Sequence, residues 1–537
     1  MAVTAAPAWR SGALVALALA FALPLLVVLG SWLAGPSGNW PHLFSTVLGD
    51  YALNSLVLCL LTGTGTLVVG TGCAWLVVVY RFPGRRILEW ALLLPLACPA
   101  YLIAYTWTGL LALEGPLQQW APFPLPDIRN REGAAMMLIL VLYPYVYLLA
   151  RQAFLTQSGT ALDVARTLGA GALERFTRVA LPLARPAIVA GVALVLMETL
   201  ADYGTVKYFG VPTLSTGIYR TWFGLGDHLA AAQLASGLLF TMFVLLWLER
   251  RARRHRRTDT DQKPPAERQP LTGVAAPAAT VGLTLPVLLG FVLPALQLIA
   301  WAADDAGHLL SAEFLELISN SLLIASLTAL TTLAVALTLV SSHRLLPTGL
   351  RRLAMRAVAF GYAMPGTVLA VGVVWVLGWL DGGLNDTLAG LGFAEPGLVF
   401  SGTLFAVVFA CSIRFLTIPA QGLEAGFARL SPHMDEAARS LGGRPWSLFR
   451  RIHLPLLRIP LLTSALLVFV DTLKELPATL VLRPFDTNTL AVRAFELASD
   501  ERLADAALPA LAILLAGILP VALLARSLGN RDDAHHA

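Results

Sequence analysis

Apolar residues in this chain come in long unbroken runs rather than in the alternating or 3.6-residue stripes of a soluble fold. Runs of roughly 20 residues, enough for a helix to cross a hydrocarbon core, occur about twelve times. They lie near 12–34, 52–80, 87–113, 134–156, 187–202, 230–248, 280–301, 318–340, 353–380, 398–420, 461–481 and 505–526. The run at 187 is the shortest and carries charge. The first follows Arg10 and has the look of a signal peptide, but its length and the lack of a small-residue cleavage site make it a retained helix. The pattern predicts an all-α polytopic membrane protein.

Polar punctuation supplies the organisation. Hydrophobicity collapses between about 249 and 279 into "ERRARRHRRTDTDQKPPAERQP", a basic run followed by a polar tail, which reads as a linker. About thirty flexible residues reach roughly 30 Å. The chain on either side repeats itself. Asn54-Ser55-Leu56 returns as Asn320-Ser321-Leu322, "RFPGRR" at 81–86 finds a counterpart in "RLLPTGLRR", and Pro99 corresponds to Pro365, each followed by an alanine, Ala104 and Ala370. These repeats predict two modules, 1–248 and 280–537, of six helices each. An even number of crossings makes the modules parallel and related by a pseudo-twofold axis along the membrane normal.

The longest repeat is charged. "ARTLGAGALERFTRVALP" from Ala165 returns as "ARSLGGRPWSLFRRIHLP" from Ala438. Asp163-Val164-Ala165 stands opposite Glu436-Ala437-Ala438, Gly169 opposite Gly442, Val179 opposite Ile452, and Leu181-Pro182 opposite Leu454-Pro455. Each copy, within loops at about 157–186 and 429–459, reads as a helical knuckle: a short helix, a corner at the glycine, and a second helix stopped before the proline. Bundle connections are usually only a few residues long, so an organised loop of this length implies a task. Leu173, Phe176 and Val179, with Trp446, Phe449 and Ile452, recur at helical spacing and suit either a partner's groove or the chain's own helices.

Composition agrees with the pattern: 57% of the 537 residues are hydrophobic and 13% charged, with a mean hydropathy of +0.71. With the N-terminus inside, most of the 38 basic residues fall in cytoplasmic segments, both knuckles and the linker included. Cys59, Cys73, Cys98 and Cys411 all lie in apolar segments without metal-ligand spacing, which predicts no metal site. Lys207, Lys263 and Lys474 are the only lysines, and none follows a glycine, so the chain has no phosphate-binding P-loop. No catalytic constellation stands out. The basic run beside a membrane helix marks the cytoplasmic face rather than a nucleic-acid site.

Charge inside a membrane is costly, which makes Glu198, Asp202, Asp471, Lys474 and Glu475 candidates for the translocation path. Glu198 aligns with Asp471 and Asp202 with Glu475, so the repeat would gather four carboxylates and one ammonium near the axis. Either they form a net-negative lining for a cation, or Lys474 neutralises its neighbours and the rest stand in water. Arg414 reads as structurally paired or snorkelling.

The spacing Glu-Ala-Ala, three residues, Gly, nine residues, Ile-x-Leu-Pro, carried by Glu436, Ala437, Ala438, Gly442, Ile452, Leu454 and Pro455, resembles the cytoplasmic loop signature of permeases of binding-protein-dependent ABC importers. The first copy departs at Asp163, Val164 and Val179 while keeping charge and bulk. The resemblance spans nearly the whole chain as two fused modules. It implies that the knuckles are coupling helices seated on two cytoplasmic ATPase subunits, which bind ATP and Mg²⁺, and that a periplasmic solute-binding protein docks on outer loops near 35–50, 114–133, 203–229, 302–317, 381–397 and 482–504. It further implies a multi-pass protein of the bacterial inner membrane with both termini cytoplasmic, without a cofactor of its own. The stretches Met197–Asp227 and Lys474–Glu496 are most similar to fused permeases of the iron(III) importer type; thiamine importers share the layout. An ion-coupled secondary transporter would also show parallel halves and intramembrane carboxylates, but would not need two matched docking knuckles. A membrane enzyme would need a site not evident here.

Overall fold

The computed structural model describes residues 8–156, 164–253, 268–309, 311–345, 361, 364–442 and 445–533. Among them, eight helices are long and apolar enough to cross a membrane, or eleven if each of three bent pairs counts as one span; Ala507–Leu523 is a shorter apolar helix. Each of the twelve sequence runs overlaps one of these features, three of them broken, and residues 353–360, 362 and 363 of the ninth run lie outside the described residues. The run expected over 87–113 turns by 96° between Arg85–Ala97 and Ala100–Trp120. Pro99 stands at that corner with extended backbone (φ −60°, ψ 146°), since it cannot continue the preceding helix. Its repeat partner Pro365 starts the helix Gly366–Gly390 in nearly the same conformation (φ −57°, ψ 140°). The run at 398–420 bends by 44° at Leu416, just before Pro419.

Two compact units cut across the sequence halves. One holds the N-terminal stretch through Pro36, His228–Ser236 and Leu315–Val492. In it the first helix packs on Gly366–Gly390, with Phe21 meeting the edge of Phe409 at 5.7 Å. Leu339, Leu416, Leu423, Phe427 and Leu457 form a buried apolar cluster between Ala312–Leu345 and the helices after 404. The other unit holds Ser37–Asp227, Gly237–Phe314 and Arg493–Ala537. Its centre is a sandwich of Leu48–Val79, Arg131–Thr156 and Leu181–Ala201. Glycines permit the close approach: a Cβ on Gly70 would fall 2.8 Å from the Tyr143 carbonyl oxygen, and one on Gly191 2.9 Å from the Val146 Cα. Lipid offers apolar side chains no hydrophobic advantage over packing, so small residues that let backbones touch do much of the holding.

The repeated Asn-Ser pair has the same task in each half. Asn54 Nδ2 donates to the Pro212 carbonyl (3.0 Å), and Ser55 Oγ accepts from Leu214 N–H (3.0 Å). Asn320 Nδ2 donates to the Asn488 carbonyl (3.3 Å), and Ser321 Oγ accepts from Leu490 N–H (2.8 Å). Each pair satisfies otherwise orphaned backbone groups where a hairpin returns along a membrane helix.

Candidate functional site

In the first knuckle, residues 164–167 are helical and Asp163 lies outside the described residues. The helix ends in a Schellman motif: Ala170 N–H donates to the Ala165 carbonyl and Gly169 N–H to the Arg166 carbonyl, both at 3.0 Å, with Gly169 at φ +82°. A new helix starts at Ala172. It is not stopped before Pro182, as the sequence reading expects, but runs as one span to Ala201. A π turn over Arg175–Ala180 precedes the proline and widens the helix where the ring and its missing N–H would otherwise break the ladder. Val164 is half exposed, Pro182 exposed and Ala165 buried, whereas Val179 and Leu181 are intermediate.

Aromatic packing holds this knuckle. Phe176 lies 5.2 Å from Trp75, which also meets the edge of Phe154 at 5.5 Å. The linker adds a strap: Gln269–Pro270 pairs in parallel with Tyr80–Arg81, Leu271 N–H donates to the Arg81 carbonyl (2.9 Å), and Arg175 reaches Gln269 Oε1 (3.4 Å). Behind it, Glu89 is buried between Arg85 (2.9 Å) and Arg151, while Tyr147 donates its hydroxyl proton to the Glu89 carbonyl (2.8 Å).

The second knuckle repeats the corner and replaces the fastening. Helix Pro432–Ser440 carries Glu436, Ala437 and Ala438, and Gly442 sits at φ +79°. Glu436 is exposed and meets only the ring of His433 among described residues (3.2 Å). The neighbouring Asp435 turns inward. Its carboxylate accepts from Arg344 Nε (2.9 Å) and contacts His453 Nε2 (2.8 Å). Arg344 also donates to the carbonyls of Phe427 (2.7 Å) and Leu430 (3.1 Å), and its guanidinium lies 5.1 Å over the Phe427 ring, whose edge meets His453 at 5.2 Å. Burial alone would raise the Asp435 pKa; the hydrogen bonds from His453 and Arg344 outweigh it and hold the carboxyl below its ordinary range. A π turn over Phe449–His453 again precedes the Leu454-Pro455 pair, both exposed, with Ile452 intermediate. The helix then does break, by 63° at Leu457, three residues before Pro460, whose ring cannot be accommodated against the carbonyl four residues back in a continuous helix.

The outward faces carry apolar tips among charged side chains. Leu168 and Leu173 are 82% and 74% exposed on the first knuckle and Leu441 is 88% exposed on the second, whereas Phe176 turns inward. The helical stripe expected of Leu173, Phe176 and Val179 is therefore split between surface and core. Sequence reasoning missed Arg344, Asp435 and His453. The signal lies in the mismatches of the repeat: Asp435 and His453 stand where the first copy has Leu162 and Ala180.

The intramembrane carboxylates are drawn into local bonds. Asp202 accepts from Val206 N–H (3.1 Å) and the Thr205 hydroxyl (3.0 Å), at the start of Gly204–Tyr208. Glu475 accepts from the N–H groups of Ala478 (3.0 Å) and Thr479 (2.9 Å), at the start of Pro477–Leu482. Both therefore cap the helix that follows. Glu475 also pairs with Arg414 (2.9 Å), and Asp471 with Lys474 (2.8 Å). Glu475 and Asp471 thus each have a cation beside them, whereas the Asp202 bonds are to neutral groups. Glu198 is half-buried one turn before Asp202. Among the described residues no three His, Cys, Asp or Glu side chains are placed to hold a metal ion.

The chain is 26% identical to the Fe(3+)-transport system permease protein FbpB 2 of Haemophilus influenzae, over 96% of its own length and 98% of that relative's. It is 30% identical to the sulfate transport system permease protein CysT of Escherichia coli, over 34% of this chain and 67% of the relative. To the putative 2-aminoethylphosphonate transport system permease protein PhnU of Salmonella choleraesuis it is 27% identical, over 42% and 85%. One family matches twice, at 66–254 and 345–531, once on each side of the linker. With a helical fold and two repeats of one knuckle, this chain belongs to the family of inner membrane components of binding-protein-dependent transport systems.

Proposed function

We propose that the chain is a two-module permease of an ATP-driven importer for ferric iron. The observation that carries the solute is the end-to-end similarity to an Fe(3+) permease, where the sulfate and phosphonate relatives match over less than half of this chain. In this reading the chain lies in the bacterial inner membrane with both termini cytoplasmic, a periplasmic binding protein delivers the solute to the outer loops, and ATP and Mg²⁺ are held by two separate cytoplasmic ATPase subunits. Those subunits dock on the knuckles, where Leu168, Leu173 and Leu441 supply exposed apolar tips beside Glu174 and Glu436. The first knuckle is continuous with a 30-residue helix, about 45 Å long at the usual rise. A push at the knuckle therefore reaches the Asp202 cap and the outer hairpin. Iron passes as substrate, and no resident metal is implied.

The test is uptake into proteoliposomes holding the full chain, with and without an ATPase subunit and an iron-loaded binding protein. Ferric uptake should require both partners and ATP. Uptake driven by a proton gradient alone would overturn the reading, and ATP-driven uptake of sulfate but not iron would reassign the solute.

A further inference from the structure

A crevice of about 320 Å³ opens among Leu48–Val79, Arg131–Thr156 and the helix that begins at Ala275. That is the size of a small-molecule pocket. Its walls include Val68, Gly72, Leu76, Tyr143, Gly282 and Leu285, apolar apart from one hydroxyl. Side chains are missing where they would close it: a Cβ on Gly72 or Gly282 would meet nothing within 4 Å. The exception is Tyr143, fully buried, whose hydroxyl has no hydrogen-bond partner among the described residues. Water has little reason to fill so apolar a space.

We propose that this crevice holds an acyl chain of an anionic phospholipid, whose headgroup rests on Arg81 and Arg86. The walls are three membrane-spanning helices, so the bilayer is the solvent at their surface, and its chains are the one abundant occupant without polar groups to desolvate. The wall from Val68 to Leu76 points along its helix to Arg81, just past the helix end, and Arg86 lies one short turn beyond. Both arginines are exposed, and among the described residues neither guanidinium has a hydrogen-bond or ion-pair partner. Thr280 Oγ1 donates to the Pro83 carbonyl (2.9 Å), tying the third wall to the turn that carries them. Free cations at the membrane-interface end of an apolar groove favour a phosphate-bearing headgroup of net negative charge.

Native mass spectrometry of the full chain, released from nanodiscs of equal parts phosphatidylglycerol and phosphatidylethanolamine, reads which lipid stays bound. Retention should favour phosphatidylglycerol by about thirtyfold, as two arginines near the surface at about 1 kcal/mol each would give. Gly72→Leu and Gly282→Leu should abolish retention by filling the crevice, and Arg81→Gln with Arg86→Gln should keep a lipid but erase the preference. Retention unchanged by either glycine replacement, or a preference untouched by the arginine pair, overturns the site. A second measurement needs no variant: phosphatidylglycerol with a photoactivatable acyl chain should label 68–76, 139–143 or 282–289 of the wild-type chain. Label spread evenly over the lipid-facing helices overturns the proposal.

Discussion

The two knuckles share a corner and differ in everything that holds it. In both, a glycine in the left-handed region turns a short helix into a longer one, and a π turn precedes a Leu-Pro pair. The first is fastened by an aromatic contact and a strand from the linker, and its second helix continues without a break into the membrane span. The second is fastened by a buried Arg-Asp-His cluster, and its helix bends by 63° at Leu457. A straight helix transmits displacement along its axis, whereas a bent one turns it. Matched docking surfaces therefore need not deliver matched motions, and a fused chain is free to let its two ends diverge.

The largest test removes each fastening separately. Asp435→Ala leaves the buried His453 and the partly buried Arg344 without their carboxylate, and breaking a fully buried pair in this way costs about 3–5 kcal/mol, an upper bound here because Arg344 keeps two carbonyl acceptors. Trp75→Ala removes the ring against which Phe176 and Phe154 pack; such truncations cost about 3–5 kcal/mol when fully buried. Hydrogen exchange followed peptide by peptide should show Asp435→Ala loosening 432–456 and leaving 164–182 protected, with Trp75→Ala doing the reverse. In proteoliposomes both should raise the ATP consumed per solute moved. Loosening of both knuckles by either single variant would show that the fastenings are not independent.

A smaller effect tests the shared part. Gly169→Ala and Gly442→Ala each place a side chain in the left-handed region, at φ +82° and +79°, with open space around the new Cβ. The cost is therefore backbone strain alone, about 1–2 kcal/mol, and should be equal in the two halves. Thermal shifts of each variant against wild type measure it; unequal shifts would mean that the two corners are not strained alike.

How much of this was legible beforehand divides along the same line. Repetition revealed the glycine corners, the Leu-Pro pairs and the Asn-Ser clamps, because both halves must solve the same backbone problem. It hid Asp435 and His453, whose counterparts Leu162 and Ala180 are apolar, since an alignment of halves discards what only one half has. Hydropathy located the apolar helices among the described residues, yet it did not show the 96° bend within 87–113: Pro99 interrupts the helix without interrupting the apolar run. The carboxylates Asp202 and Glu475 were visible as charges in apolar surroundings. That each caps the helix just after it depends on where the preceding helix ends, which composition does not encode.

Acid should separate the knuckles with the least perturbation. Hydrogen bonds from His453 and Arg344 depress the folded-state pKa of Asp435 despite its burial. A carboxyl whose folded value lies below its unfolded value adds stability that is fully present above the unfolded value, near 4. That stability falls away as pH drops through the folded value, because the unfolded chain then binds the proton more readily. Lowering pH from 6 toward 3 should therefore speed hydrogen exchange over 432–442 more than over 164–174, once both are corrected for intrinsic rates. In the first knuckle the Phe176–Trp75 contact and the Gln269–Pro270 pairing contain no carboxylate, and Glu174, which accepts from Gly171 N–H and pairs with Arg178, does so at the exposed surface, where such pairs contribute little. Asp435→Asn should erase the difference in acid sensitivity while keeping the shape of the side chain. If the difference survives that substitution, the acid sensitivity belongs to another group, and the ionic fastening of the second knuckle is weaker than its geometry implies.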